Sequence, residues 1–426
     1  MEPKTLKKRL FKALTIHLPA SKSISNRALI INALSGAGVM PQNVSDCDDT
    51  RVMLRALAGQ NARDGQGREV IDIMAAGTAM RFLTAYLSVT PPREGEAPSA
   101  RIITGTERMQ NRPIGLLVEA LRHLGADIGY VGREGFPPLC IQGRRLEGGE
   151  VTLPGHLSSQ YISAMLMVGP ILEKGLTLHL EGEVVSRPYI DMTLAIMHSF
   201  GAEATFVGST LRVEPTGYKP IPYYIENDWS ASSYWFEMVA LTPGSEIRLP
   251  GLFQESLQGD QGVLDIFRHL GVEASFEELA ADGAGPASVL VLRHTGRVAE
   301  RLDIDMLRVP DLAQTVVVTC CMLGVRFRIS GLQSLKIKET DRIFALRTEL
   351  AKLGYLVREE DDSVLLWEGE RCEVAADSSI DTYEDHRMAM AFAPCCQVLG
   401  KVVINNPQVV SKSYPGYWTD LDTCLA

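Results

Sequence analysis

A chain of 426 residues, 46% hydrophobic and 22% charged, is long enough for two or three separately cored domains and too apolar for a disordered or low-complexity protein. Its 42 Lys and Arg against 52 Asp and Glu leave a net charge of −10, which excludes a general nucleic-acid or anionic-membrane surface. No run reaches the ~18–20 apolar residues of a membrane span. The eight cysteines include no C-x-x-C pair, which points to thiols kept reduced in a cytoplasm.

In chain order, residues 1–18 carry Lys4, Lys7, Lys8, Arg9 and Lys12 without an apolar core. They read as the approach to a strand over 14–18 rather than a leader. Six nearly all-apolar helices follow, over 28–34, 79–87, 161–168, 234–241, 315–323 and 388–399. A helix apolar on every side is buried on every side. Between them lie one-faced helices such as the one bearing Ile114, Leu117, Val118, Leu121 and Leu124 at the 3.6-residue period. These end at Gly125, Gly201, Gly271 and Gly354, at steps of 76, 70 and 83 residues, with a weaker copy at Gly59. Self-similarity at that step predicts six repeats of strand, buried helix, strand, surface helix, strands. Six divide three and three, and the Pro-rich stretch 215–222 is the linker that spacing suggests.

Polar residues gather where the helices start. The buried helices are preceded by Ser21-Lys22-Ser23 running to Arg27, by Ala75 to Arg81 with Gly77 and Thr78, and by Ser158-Ser159-Gln160. The later three follow Asp228, Asp311 and Asp385-His386-Arg387. Surface helices open behind Arg112-Pro113, Arg187-Pro188, Lys338-Glu339-Thr340-Asp341-Arg342 and Lys412 to Pro415. Capping accounts for Ser158, Thr78 and Asp228. It does not account for Lys22, Arg27, Arg81, Arg112, Arg187, Lys338, Arg342, Arg387 and Lys412. A cation in a first turn opposes the helix dipole at a cost of about 0.3–1 kcal/mol. Helix starts and cations that converge would form a cavity for small polyanions. The acids among them, Asp311, Glu339 and Asp385, can accept or donate protons, although ordinary ion pairing explains each one singly. His386 reads equally as a structural hydrogen-bonder or a catalyst. No phosphate-binding or dinucleotide loop, zinc-protease helix or nucleophile elbow occurs, and no Cys/His cluster suggests a metal. No cofactor and no metal are expected.

The segments around Lys22–Arg27, Gly77–Arg81, Arg112, Ser158–Gln160, Lys338–Arg342, Asp385–Met390 and Lys412 resemble, in order and spacing, those of the 5-enolpyruvylshikimate-3-phosphate synthases of the enolpyruvyl transferase family. The resemblance covers essentially the whole chain. It implies an α/β fold, a two-domain inverse α/β barrel in which each domain has three βαβαββ repeats with buried helices and outer sheets. The implied domains are residues 20–227, and residues 1–19 with 228–426, with the active site in the interdomain cleft. It implies transfer of the enolpyruvyl group of phosphoenolpyruvate to the 5-hydroxyl of shikimate-3-phosphate, with release of phosphate, in aromatic amino-acid biosynthesis. A cytoplasmic monomer without nucleic-acid or membrane partners is expected.

Carried over position by position, the resemblance assigns shikimate-3-phosphate to Lys22, Ser23, Arg27, Ser158, Ser159, Gln160, Ser186, Tyr189, Asp311, Ser334 and Lys338. It assigns phosphoenolpyruvate to Lys22, Gly77, Arg112, Gln160, Arg342, Arg387 and Lys412. Catalysis falls to Asp311 as proton acceptor, with Lys22 as the other candidate, and to Glu339 as the acid at the enol methylene. Glyphosate is expected at the phosphoenolpyruvate site. Ala75 and Ser334 stand where the family commonly has Asn. Two rival readings are a UDP-N-acetylglucosamine enolpyruvyl transferase and a non-catalytic repeat scaffold. The loop over 106–112 has no Cys to serve as the first rival's acid, and Lys22, Asp311 and Glu339 together argue against the second.

Overall fold

The computed structural model describes residues 2–36, 38–91, 100–156, 158–185, 187–278 and 288–425. The chain forms two compact units, Ala20–Ile225 and Met1–Pro19 with Glu226–Ala426. The Pro-rich stretch 215–222 lies inside the first of these rather than at its boundary.

In the unit Ala20–Ile225, helices Lys22–Leu34, Gly77–Val89 and Ser159–Val168 pack together at the centre. Their apolar residues join one core with Ile71, Ile103, Leu153 and Leu178 from the strands. Two of these central helices cross over between parallel strands, which need such a crossover to run the same way. Glu69–Asp72 and Arg101–Thr104 flank Gly77–Val89. Gly149–Pro154 and Leu176–Glu181 flank Ser159–Val168. Antiparallel strands extend these pairs into sheets of five and four strands. A third parallel pairing is reduced to one bridge, Gln42 to Tyr224.

The other unit repeats the plan around helices Trp229–Ala240, Ala313–Leu323 and His386–Phe392. Arg301–Asp305 and Arg326–Ser330 are the parallel pair around Ala313–Leu323. Ala13–Thr15, from the start of the chain, pairs in parallel with Glu246–Pro250. The strand expected over 14–18 is therefore shorter and begins one residue earlier. The third pair is again a single bridge, Ile380 to Ile404, beside a two-stranded sheet of Lys4–Lys7 and Lys401–Ile404. Every residue from Ala313 to Met322 is buried, as an all-apolar helix requires.

Two expectations need correction. The helix expected over 388–399 is broken: His386–Phe392 gives way to a 3-10 turn, Ala393–Cys395, and a short helix, Cys396–Leu399. Pro394 lacks the N–H that would continue the ladder. Gly125, Gly201 and Gly354 do follow helices with φ of +97°, +82° and +89°. Gly271 has the same backbone but lies within strand Leu270–Glu278, at a register shift between Leu270 and Val272.

Candidate active site

In the unit Ala20–Ile225 the predicted residues fall into three groups. Lys22 opens helix Lys22–Leu34 behind the N-cap Ser21, and its ammonium lies 3.5 Å from Asp49 Oδ2. Arg27, one turn on, is 2% exposed. Its donors go to Thr193 Oγ1 (2.7 Å), the Ser23 carbonyl (2.9 Å), Ser163 Oγ (3.1 Å) and the Tyr189 carbonyl (3.4 Å). The guanidinium lies over the rings of Phe82 and Tyr189. Among the described residues no carboxylate pairs with it. Burial pulls its pKa down to about 10, so it stays charged at neutral pH. A buried cation held only by neutral acceptors is costly unless an anion joins it.

The third group surrounds the start of helix Gly77–Val89. A Cβ built on Gly77 would stand 2.5 Å from Arg112 Nη1 and 3.2 Å from Arg81 Nη1. Arg112 thus lies directly on the Gly77 backbone. Gln160 Nε2 donates to Thr78 Oγ1 at 3.2 Å. Thr78 is consequently not the cap: the helix begins at Gly77, and its N-cap is Ala76. Arg81 is structural, donating to the carbonyls of Gly77 (3.0 Å) and Pro113 (3.2 Å). Ser158 does cap its helix, accepting from Gln160 N at 3.4 Å, and Ser159 is the buried first residue. Ala75 is exposed just ahead of the cap. Ser186 lies outside the described residues.

The other unit gathers its predicted residues into one network around Arg342, which is 1% exposed. Arg342 Nε donates to Asp385 Oδ2 (2.7 Å), Nη1 to Asp311 Oδ1 (3.0 Å) and Nη2 to Glu339 Oε2 (2.9 Å). Burial alone would lower the Arg342 pKa, but Asp385, Glu339 and Asp311 together hold it above the ordinary value. Asp311 also faces Lys338 at 3.6 Å and Arg387 Nη2 at 3.1 Å, and Lys412 lies 2.8 Å from Glu339 Oε1. Arg342, Arg387, Lys338 and Lys412 thus crowd around Asp311, Glu339 and Asp385. So many cations in one place favour an anion.

Local structure aims these groups. Asp341, not Arg342, caps helix Arg342–Lys352, accepting from Phe344 N at 3.0 Å. Tyr383 and Glu384 have φ of 52° and 56°, a strained pair that delivers Asp385 to Arg342. Several cations precede the helices rather than occupy first turns: Lys338 follows the 3-10 turn Gln333–Ile337, Lys412 ends the turn Pro407–Lys412, and Arg112 precedes helix Gly115–His123. Among the described residues Ser334 joins no part of the network, and its buried Oγ has no hydrogen-bond partner. Sequence reasoning missed Asp49, Thr193, Ser163, Ser230 and Asp260. Asp49 stands in the first turn of helix Asp48–Leu57, where an acid ordinarily complements the helix dipole.

The sequence model of the EPSP synthase family (3-phosphoshikimate 1-carboxyvinyltransferase) matches residues 8–421. The chain is 56% identical over 408 residues to a 3-phosphoshikimate 1-carboxyvinyltransferase of Bacteroides fragilis, covering 96% of this chain and 94% of that one. It is 37% identical over 429 residues to the protein of that name from Photobacterium damsela subsp. piscicida, covering 96% of each. Among solved structures, an EPSP synthase from Acinetobacter baumannii superposes with a TM-score of 0.78 at 19% identity, over 99% of this chain and 97% of that one. This last likeness bears on the fold and agrees with the two-domain α/β barrel expected from the sequence.

Proposed function

The chain belongs to the EPSP synthase family, and from this premise we propose which of its residues hold each substrate and move each proton. The reaction is transfer of the enolpyruvyl group of phosphoenolpyruvate to the 5-hydroxyl of shikimate-3-phosphate, a step of aromatic amino-acid biosynthesis. The single observation that carries the assignment is the gathering of cations: buried Arg27, which pairs with no carboxylate among the described residues, and Arg342, Arg387, Lys338 and Lys412 crowded into one network.

Arg27 receives the carboxylate of shikimate-3-phosphate, with Ser23, Ser158, Ser159, Ser186 and Tyr189 around the rest of that substrate. Ser334, whose buried hydroxyl has no partner among the described residues, contributes there with Lys338 and Asp311. Gly77, Arg112, Arg342, Arg387 and Lys412 hold phosphoenolpyruvate, and Lys22 and Gln160 serve both substrates. Glu339, bridging Arg342 and Lys412, gives a proton to the methylene carbon of phosphoenolpyruvate. C2 becomes electrophilic, and the 5-hydroxyl attacks it while its proton passes to Asp311. The C2–O bond to phosphate in the tetrahedral ketal then breaks, phosphate leaves with the proton held by Asp311, and Glu339 takes back a methyl proton, which restores the C=C bond. Cations at the leaving phosphate stabilise the charge that develops there. The finer picture of a monomer in the cytoplasm belongs to the same proposal. Each unit closes an apolar core of its own, and all eight cysteines are free thiols.

One crossed experiment tests the assignment. Arg27→Gln removes the buried charge and is expected to weaken shikimate-3-phosphate binding by about 10- to 100-fold, the worth of a charged hydrogen bond. Its KM for phosphoenolpyruvate should move by less than about threefold. Gly77→Ala places a Cβ against Arg112 and should do the reverse, raising KM for phosphoenolpyruvate by about tenfold or more. Steady-state kinetics with each substrate varied, and calorimetry with shikimate-3-phosphate, read both. If each variant affected both substrates alike, the division of residues would be wrong.

A further inference from the structure

Asp260 is assigned to neither substrate, yet it is built into the same network. It sits in the 3-10 turn Gly259–Gly262 at 6% exposure and accepts a hydrogen bond from the Ser230 hydroxyl, at the start of helix Trp229–Ala240. The Ser230 oxygen in turn accepts from Arg387 Nη2 at 3.4 Å. That same nitrogen stands 3.1 Å from Asp311 Oδ2. Arg387 Nη1 goes to the Asp311 carbonyl at 3.2 Å and to the Tyr234 hydroxyl at 3.5 Å. One guanidinium nitrogen is therefore shared between the proton acceptor and, through one hydroxyl, a second acid.

We propose that Asp260 is a positioning residue for enolpyruvyl transfer, holding Arg387 beside Asp311 through the Ser230 hydroxyl. The inference rests on Asp311 being the proton acceptor and Arg387 a phosphoenolpyruvate ligand. A hydroxyl has a single proton. Donated to Asp260, it turns the lone pairs of Ser230 towards Arg387. Without that acid the hydroxyl is free to rotate, and Arg387 loses the anchor that balances Asp311. The balance matters for chemistry, because an Arg387 wholly committed to Asp311 would make it a poorer base.

The charge on Asp260 also bears on the anion that Arg387 receives. Burial pushes Asp260 up to about 7, Asp311 and Asp228 add to the rise, and Arg387 and the Ser230 bond oppose it. These groups face it from the turn Pro310–Leu312, from the start of helix Trp229–Ala240 and from helix His386–Phe392. On the adjoining helix Val263–Arg268, Asp265 and Arg268 pair with each other at 3.3 Å and are exposed. Above pH about 7 Asp260 is ionised and cancels part of the charge of Arg387, so phosphoenolpyruvate binds less tightly. Below it the acid is neutral and the cation acts in full. KM for phosphoenolpyruvate therefore rises as pH rises through about 7.

The test is steady-state kinetics from pH about 6 to about 8 on the full-length protein and on Asp260→Asn, Ser230→Ala and Ser230→Thr. Dividing each wild-type constant by that of the variant cancels the titration of the substrate's own phosphate, which has a second pKa of about 6. Across that range, the wild-type KM for phosphoenolpyruvate should rise about tenfold more than that of Asp260→Asn. Asp260→Asn and Ser230→Ala should each lower kcat by about tenfold, and Ser230→Thr, which keeps the hydroxyl, should restore it. A wild-type kcat and an undiminished pH dependence in Asp260→Asn would overturn the proposal. So would a silent Ser230→Ala, a small change that serves even if Asp260→Asn folds poorly. Asp311→Ala in the same series tests the underlying assignment separately. Its inactivity beside a silent Asp260→Asn removes only the positioning role, whereas its full activity removes the assignment of the base.

Discussion

Asp311→Ala is expected to lose at least about 100-fold in kcat, while its affinity for shikimate-3-phosphate changes by no more than about tenfold. The reason is that Asp311 has a different part in binding and in turnover. Three cations, Arg342, Lys338 and Arg387, stand within 3.0 to 3.6 Å of its carboxylate. They fix its direction, as a proton acceptor needs. Removing it leaves the other proposed shikimate-3-phosphate residues, Arg27 above all, in place. It also removes the group that takes the hydroxyl proton as C2 is attacked. Single-turnover measurement of phosphate release, beside calorimetric binding, separates the two effects. A variant that turned over at the wild-type rate would end Asp311's part as base and leave Lys22 to be tested.

The second large effect is structural as well as catalytic. Arg342→Ala is expected to destabilise the protein by about 3–5 kcal/mol, because it strips the shared partner from three carboxylates at once. Asp385 is fully buried, and among the described residues Arg342 and the Arg387 N–H donate to its oxygens. Asp311 and Glu339 would repel each other and Asp385 across the gap. In a unit of this size the loss corresponds to about 6–20 °C in Tm. Arg342→Lys should recover little of it, since an ammonium cannot serve three carboxylates through a planar fork. Thermal melts followed by circular dichroism read the loss, and phosphoenolpyruvate at saturating concentration should fail to restore it. Melts unchanged from wild type would mean that the three acids are satisfied without Arg342.

What could be read from the sequence was what local pattern determines. The all-apolar stretches became central helices because no face of them suits water. The repeated Gly after a one-faced helix became a left-handed turn at Gly125, Gly201 and Gly354. Motifs near Lys22, Gly77, Lys338 and Asp385 stood out because the cations among them have no capping role, although Asp385 itself caps helix His386–Phe392. Pairing at long range was not legible. Arg342 meets Asp385 43 residues on and Asp311 31 residues before it, and no period in the chain announces either partner. Asp260 and Ser230 were invisible for the same reason, lying 30 residues apart in segments that look like an ordinary turn and an ordinary helix start. Nor did composition predict that the third parallel pair of each unit shrinks to one bridge, Gln42 to Tyr224 and Ile380 to Ile404. Those contacts depend on where distant ends of the chain return, which local propensity does not encode.

The most direct measurement is phosphate release from phosphoenolpyruvate by the purified protein, with shikimate-3-phosphate or UDP-N-acetylglucosamine as acceptor and mass spectrometry of the product. Release is expected with shikimate-3-phosphate, yielding an enolpyruvyl ether at its 5-oxygen, and none with the nucleotide sugar. Release driven by UDP-N-acetylglucosamine, or by neither acceptor, would contradict the assignment of these buried cations to the two anions of the shikimate step.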